Sequence, residues 1–169
     1  ATTSATPLDE YLATTPTNDP FAWYDTNHTV RPLLTTATAY VLNVTSLRWL
    51  DTTRAHGPNR DLWTHQVALI VPDKLTHSAT AMALMTGGCN EGPPKPPSHD
   101  DEYLLVGARL AVRTGSMVAV IYQIPNCHYV FPSDPSRMRR TEDKLIAWAW
   151  RQYLEHPDEP EWIPRLPMV

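Results

Sequence analysis

Apolar and polar positions change their period near the middle of this chain. Between residues 36 and 44 they alternate: Ala37, Ala39, Val41 and Asn43 fall on one side, Thr38, Tyr40 and Leu42 on the other. A period of two is that of a half-buried strand. Trp63 to Val71 predicts a second strand, closed by Pro72-Asp73. Ala79 to Thr86 predicts a third and buried one, and the connection Pro72 to Ser78 suits a hairpin between them. From Ser98 the period lengthens. Ser98 is placed to cap a helix, the acidic residues Asp100, Asp101 and Glu102 suit the positive end of its dipole, and Gly115 suits its stop. Leu104, Ala108 and Ala111 share its inner face, with Val106 and Leu110 beside them. Met117 to Ile124 is apolar at successive positions, as a parallel strand covered on both faces would be. Thr141 can cap a last helix, in which Leu145, Trp148, Ala149 and Gln152 share a face before His156-Pro157 ends it. At the start, Pro7 to Ala13 predicts a short helix and Thr15 to Pro32 a loop, with Trp23 and Tyr24 as packing residues.

A strand, a helix and a strand with this spacing make a βαβ unit, whose crossover is expected to be right-handed. The fold class is therefore α/β: an antiparallel meander followed by a parallel βαβ. That order opens an α/β-hydrolase-like mixed sheet, and it opens other mixed α/β folds too.

Composition narrows the picture. With 42% hydrophobic and 19% charged residues over 169 positions, the chain can build one core and is not of disordered composition. A net charge of -4 gives no reason to expect nucleic acid as a partner. Seventeen prolines against six glycines imply short elements on rigid connections. No stretch approaches the ~18 apolar residues of a membrane span. No charged segment leads into an apolar core at the start, so residues 1–6 read as a trimmed mature end. Asn27-His28-Thr29 and Asn43-Val44-Thr45 are sequons, making Asn27 and Asn43 the N-glycosylation candidates if the protein is secreted.

The stretch of most chemical interest ends the third predicted strand: Gly87-Gly88-Cys89-Asn90. Glycines at a strand end can turn backbone N–H groups toward a ligand or a developing anion, or can simply let the chain leave the sheet. His56, His65, His77, His99 and His128 are scattered without ligand spacing, so neither a metal nor a cofactor is expected. His128 could line a pocket near the strand ends. Gly115-Ser116 precedes a strand, which makes Ser116 a turn residue. Asp134, Glu142 and Asp143 lie near a helix start, where carboxylates need no catalytic role.

Ordered segments add a resemblance. Thr38 to Ser46, Trp49-Leu50, Trp63-Thr64-His65, Val71-Pro72-Asp73, Gly87 to Asn90, Gln123-Ile124-Pro125-Asn126 and Arg140 to Ala147 follow one another as in the PhoPQ-activated pathogenicity-related family, which includes secreted autocrine proliferation repressors. The chain resembles that family from about Pro7 onward. The resemblance implies an α/β-hydrolase fold, a secreted or cell-surface location, and a polypeptide more than twice this length. Residues 1–34 would then be an N-terminal extension and loop, and residues 35–169 the first half of the domain, completed by the C-terminal remainder of the protein or a complementary chain. It places the family's glycine-flanked serine beyond Val169; no Gly-x-Ser-x-Gly occurs here. Gly87, Gly88, Cys89 and Asn90 become candidates for an oxyanion loop, with no catalytic residue in this sequence. The family pattern has serine where Cys89 stands. Cys89 and Cys127 would end neighbouring strands at disulfide spacing, although free buried thiols or a reactive thiol are also open readings. The function implied is ester or peptide hydrolysis; the alternative is a non-enzymatic secreted signalling ligand or a subunit of an extracellular assembly.

Overall fold

Three strands whose inner positions are small or β-branched, and one helix that fits them, form the centre of the molecule. The computed structural model describes residues 5–18, 20–90 and 92–168; most of the segment read as a trimmed end, residues 1–4, lies outside them. In chain order it contains α1 (Pro7–Asn18), β1 (Ala22–Val30), β2 (Ala37–Arg48), β3 (Leu62–Pro72), β4 (His77–Met85), α2 (Glu102–Thr114), β5 (Ser116–Ile121), α3 (Glu142–Glu155) and a 3-10 turn at Pro160–Trp162. The five strands make one mixed sheet in the order β1-β2-β3-β5-β4. β1, β2, β3 and β5 pair antiparallel in succession, and β4 runs parallel to β5. The fold class is thus mixed α/β: the parallel βαβ unit is present, and the antiparallel meander is β1-β2-β3 rather than one that runs on into β4.

α2 packs on one side of the sheet. Its Leu104, Ala108 and Ala111 meet Ala37, Ala39, Ala68, Ile70, Val118 and Val120 in a buried cluster. Small residues on both sides let the helix sit close. The helix begins at Asp101, whose carboxylate accepts from the Leu104 N–H, and ends on Gly115 in the left-handed region at φ 64°. The expected cap, Ser98, instead bonds the Asp100 side chain. Asp101 wins because its Oδ1 reaches the free N–H three residues on while also accepting from the Tyr122 hydroxyl. Val106 and Leu110, beside the inner face, are exposed.

A second cluster sits at the other end. Trp49, Trp63, Tyr129, Phe131, Trp148 and Trp162 gather with Leu145 and Ala149 of α3. The rings meet edge-on or stacked, as at Trp49–Tyr129, 5.2 Å and 76°. The inner face read for α3, Leu145, Trp148, Ala149 and Gln152, is the buried one.

Four expectations need correction. Residues 15–32 are not a loop: α1 continues to Asn18, and Ala22–Val30 forms β1, in which Trp23 and Tyr24 are exposed. An edge strand open to solvent carries no apolar alternation to read. β3 and β4 make no hairpin, because β5 pairs between them and leaves β4 at the sheet edge. β4 is accordingly not a buried strand; seven of its nine residues are exposed. Nor is β5 covered on both faces: Ser116, Val118 and Val120 are buried, while Met117, Ala119 and Ile121 are half-exposed.

Candidate functional site

The parallel strands β4 and β5 end at Met85 and Ile121, and the chain segments that follow them build the site. In open α/β sheets, ligands bind at this end of the parallel strands. After β4, Thr86 N–H bonds the Ile121 carbonyl, Gln123 N–H bonds the Gly87 carbonyl and Asn90 N–H bonds the Cys127 carbonyl. The two segments thus run alongside each other past the sheet. Cys89 and Cys127 close them with a disulfide, S–S 2.02 Å and Cα–Cα 4.7 Å. Of the readings left open for the two cysteines, this is the bonded one. A bridge over 38 positions contributes roughly 4 kcal/mol in the chain-entropy model.

Within Gly87 to Asn90, the N–H of Gly88 points to the Glu142 carboxylate, 3.4 Å from Oε1. Gly87 is what permits this approach: a methyl there would lie 2.7 Å from that oxygen. The loop therefore already faces an anionic oxygen, supplied by the first residue of α3. Asn90 is committed differently. Its side-chain amide donates to the Thr64 carbonyl, and its Oδ1 accepts from the Cys127 N–H at 3.4 Å.

Beside this loop lies a cavity of about 590 Å³. Its walls are Asn43, Thr45, Thr64, Gln66, Asn90 and Gln123 from the strand ends, with Tyr24, Pro58, Asn59, Pro93, Pro94 and Lys95 around them. A smaller one of about 300 Å³ shares Tyr24, Asn43, Gln66 and Pro94 with it. Tyr24 pairs with Asn43, and Asn43 with Gln66, so these three form one cross-strand row over β1, β2 and β3. Gln123 reaches the same row: its Oε1 accepts from the Gln66 N–H at 2.7 Å.

His65, also at the cavity wall, is only 6% exposed. One ring nitrogen lies 3.1 Å from the Tyr122 carbonyl and the other 2.8 Å from the Ser46 hydroxyl. A carbonyl can only accept, so Nδ1 carries the proton and Nε2 accepts from Ser46. Burial pushes the His65 pKa below its ordinary value, which holds the ring neutral. His128 is not among the cavity walls; it sits 3.2 Å from Arg139 Nη2. Ser116 starts β5 and is buried there, rather than lying in a turn. Asp134 pairs with Arg140 at 2.7 Å. Among the described residues, no three His, Cys, Asp or Glu side chains gather to hold a metal ion.

The family described as PhoPQ-activated pathogenicity-related protein matches residues 8–169. The chain belongs to this family. Autocrine proliferation repressor protein A of Dictyostelium discoideum is 33% identical over 165 residues. That alignment covers 98% of this chain but 30% of the relative, so the chain spans under a third of that protein's length. No solved structure matches. No described helix is long and apolar enough to cross a membrane.

For this family member, the sequence reading found Gly87 to Asn90 and the cysteines but missed the row Tyr24, Asn43, Gln66. A signal was available. Asn43 continues the phase of Ala37, Ala39 and Val41, and Gln66 shares the phase of Ala68 and Ile70. Carboxamides in the buried phase of two central strands mark the place where the core gives way to a polar cavity.

Proposed function

We propose that residues 35–169, with the edge strand β1 added to their sheet, are the first half of a larger α/β-hydrolase-like domain. The observation that carries this is the unfinished side of the sheet. β4 lies at its end with an uncharged run from Ser78 to Met85 that is exposed except at Met82 and Leu84. The sheet face opposite α2 offers Leu42, Val67, Leu69, Val71, Met117, Ala119 and Ile121, all half-exposed. A parallel pair in α/β proteins is normally covered on both faces. The relative of more than three times the aligned length supports the same reading.

In that larger domain, the loop Gly87 to Asn90 forms the oxyanion site with the Gly88 N–H as its donor, Asn90 bracing it through Thr64 and Cys127, and the cavity supplies the pocket wall. The reaction is hydrolytic acyl transfer on an ester or peptide, with nucleophile, acid and base outside this sequence. The disulfide supports a secreted or cell-surface location. Glu142 is a switch in this reading: an oxyanion needs the Gly88 N–H that its carboxylate faces, so Glu142 must yield it.

A second reading rests on that same contact. If Glu142 holds the Gly88 N–H permanently, the protein is a non-enzymatic secreted ligand, or a subunit of an extracellular assembly, that keeps the fold. The relative named as an autocrine proliferation repressor favours it. A fluorophosphonate probe applied to the intact protein separates the two. Covalent labelling of a serine supports the hydrolase; a probe-silent, folded protein supports the ligand.

A further inference from the structure

The cavity beside the loop, a pocket wall in the hydrolase reading and without a role in the other, has polar chemistry of its own. We propose that it is a binding groove for an oligosaccharide, whether or not hydrolysis occurs nearby.

Gln66 stands at the centre of the groove. The residue is only 8% exposed, and its carboxamide bonds no described side chain or backbone group, so what exposure it keeps is toward the cavity it lines. An amide held at a cavity wall with no protein partner leaves its donor and acceptor to water or to a ligand. Gln66 stands in the row Tyr24, Asn43, Gln66, which lines both cavities and joins them into one groove. On one side of the row the groove continues to Thr45, on the other to Val41. At ~3.3 Å per residue these four steps span about 13 Å, long enough for more than one sugar unit.

The polar groups suit hydroxyls. A carboxamide offers donor and acceptor together without charge, which is what a sugar hydroxyl also offers. Asn43 Nδ2 already donates to the Tyr24 hydroxyl at 2.6 Å. That bond fixes the ring and leaves the Tyr24 hydroxyl hydrogen and Asn43 Oδ1 for a ligand. The Tyr24 ring is 61% exposed, a flat apolar face of the kind that stacks on a pyranose. Pro93 and Pro94 supply a stiff opposing wall. Among the described lining residues, Lys95 is the one cation of the larger cavity, which has no carboxylate, and Asp25 is the one carboxylate of the smaller. A nucleotide would need more positive charge.

The test is a titration of the isotopically labelled chain followed by 1H–15N spectra, with cellotriose, maltotriose and chitotriose as probes. At least one sugar should shift the side-chain amide signals of Gln66, Asn43 and Gln123. Tyr24→Ala, at an exposed position that keeps the core intact, should weaken that binding about tenfold. Gln66→Ala should do the same, with its melting curve checked against the unsubstituted chain. Absence of a shift with all three sugars overturns the proposal. So does unchanged binding by Tyr24→Ala, or a shift produced by trialanine and by no sugar. Fluorophosphonate labelling reads a different property, so either reading above can fail while this one stands.

Discussion

At the residue scale, position within the sheet decides what a side chain can do. Asn27 and Asn43 carry the same sequon, but their surroundings differ. Asn27 is exposed at φ 58°, where the β1–β2 register slips between Asp25 and His28. Asn43 is half-buried between two paired strands, with Nδ2 engaged by Tyr24. Passed through a glycosylating secretory pathway, the chain should gain a glycan at Asn27. Asn27→Gln should abolish the mobility shift on deglycosylation, and Asn43→Gln should leave it. His65 gives a second expectation, with a sign. Its folded pKa lies below the ordinary 6.5, so the unfolded chain binds its proton first. The contribution of the neutral ring is complete above pH 6.5 and is lost as pH falls below that value. Asp51, held at about 2 first by the Thr53 hydroxyl, and Asp134, lowered first by the Ser136 hydroxyl and then by Arg140, titrate below this window. Urea midpoints should therefore fall between pH 7.5 and pH 5.5, and His65→Gln should flatten that slope. An unchanged slope in the variant would remove His65 from the account.

At the element scale, α2 shows propensity and packing in competition. Gly107 faces the sheet, and a methyl there would lie 2.7 Å from Ile70 Cδ1 and 2.9 Å from Val120 Cγ2. Alanine in a helix interior gains about 1 kcal/mol over glycine. Overpacking a tight core costs ~1–3 kcal/mol. Both contacts are with fully buried side chains, so the clash prevails. Gly107→Ala should lower the urea midpoint; a higher one would mean the helix can shift outward at little cost. The same helix explains what was legible in the sequence. The inner faces of α2 and α3 bury Leu, Ala and Trp at helical spacing, so periodicity found them. β2 and β3 bury one face each, so alternation found them. β1 buries neither face, and β4 is mostly exposed, so apolar pattern recorded neither its pairing nor its place. The run from Ala79 to Met85 says strand, but nothing in it says edge. Strand order is a long-range property, set here by β5 entering beside β3. The groove was legible only in part: the phase of Asn43 and Gln66 marks polar positions on two buried faces, but Tyr24 joins them only through register.

At the scale of the whole molecule, one side is finished and the other is open. The β4 edge combines Ala79, Ala81, Ala83 and Met85 without a charge or proline, and Met85 is 54% exposed. Edge strands of this kind are templates for further pairing, which proteins usually block with lysine, proline or a bulge. Beside it, the half-exposed face from Leu42 to Ile121 adds an apolar surface of the sort that marks an interface. If both are interfaces for the rest of a larger domain, the same substitution should act in opposite directions in two settings. Met85→Lys introduces a charge at the outer strand. In the 169-residue chain alone it should reduce self-association, read by sedimentation, and reduce fluorescence of an apolar dye, because the charge blocks edge pairing. In the longer protein it should be destabilising by a few kcal/mol, because the lysine would be buried without a partner. If the short chain is monomeric and dye-silent before any substitution, the open side is a true surface. If the longer protein tolerates Met85→Lys unchanged, β4 is an edge there too, and the sheet does not continue past it.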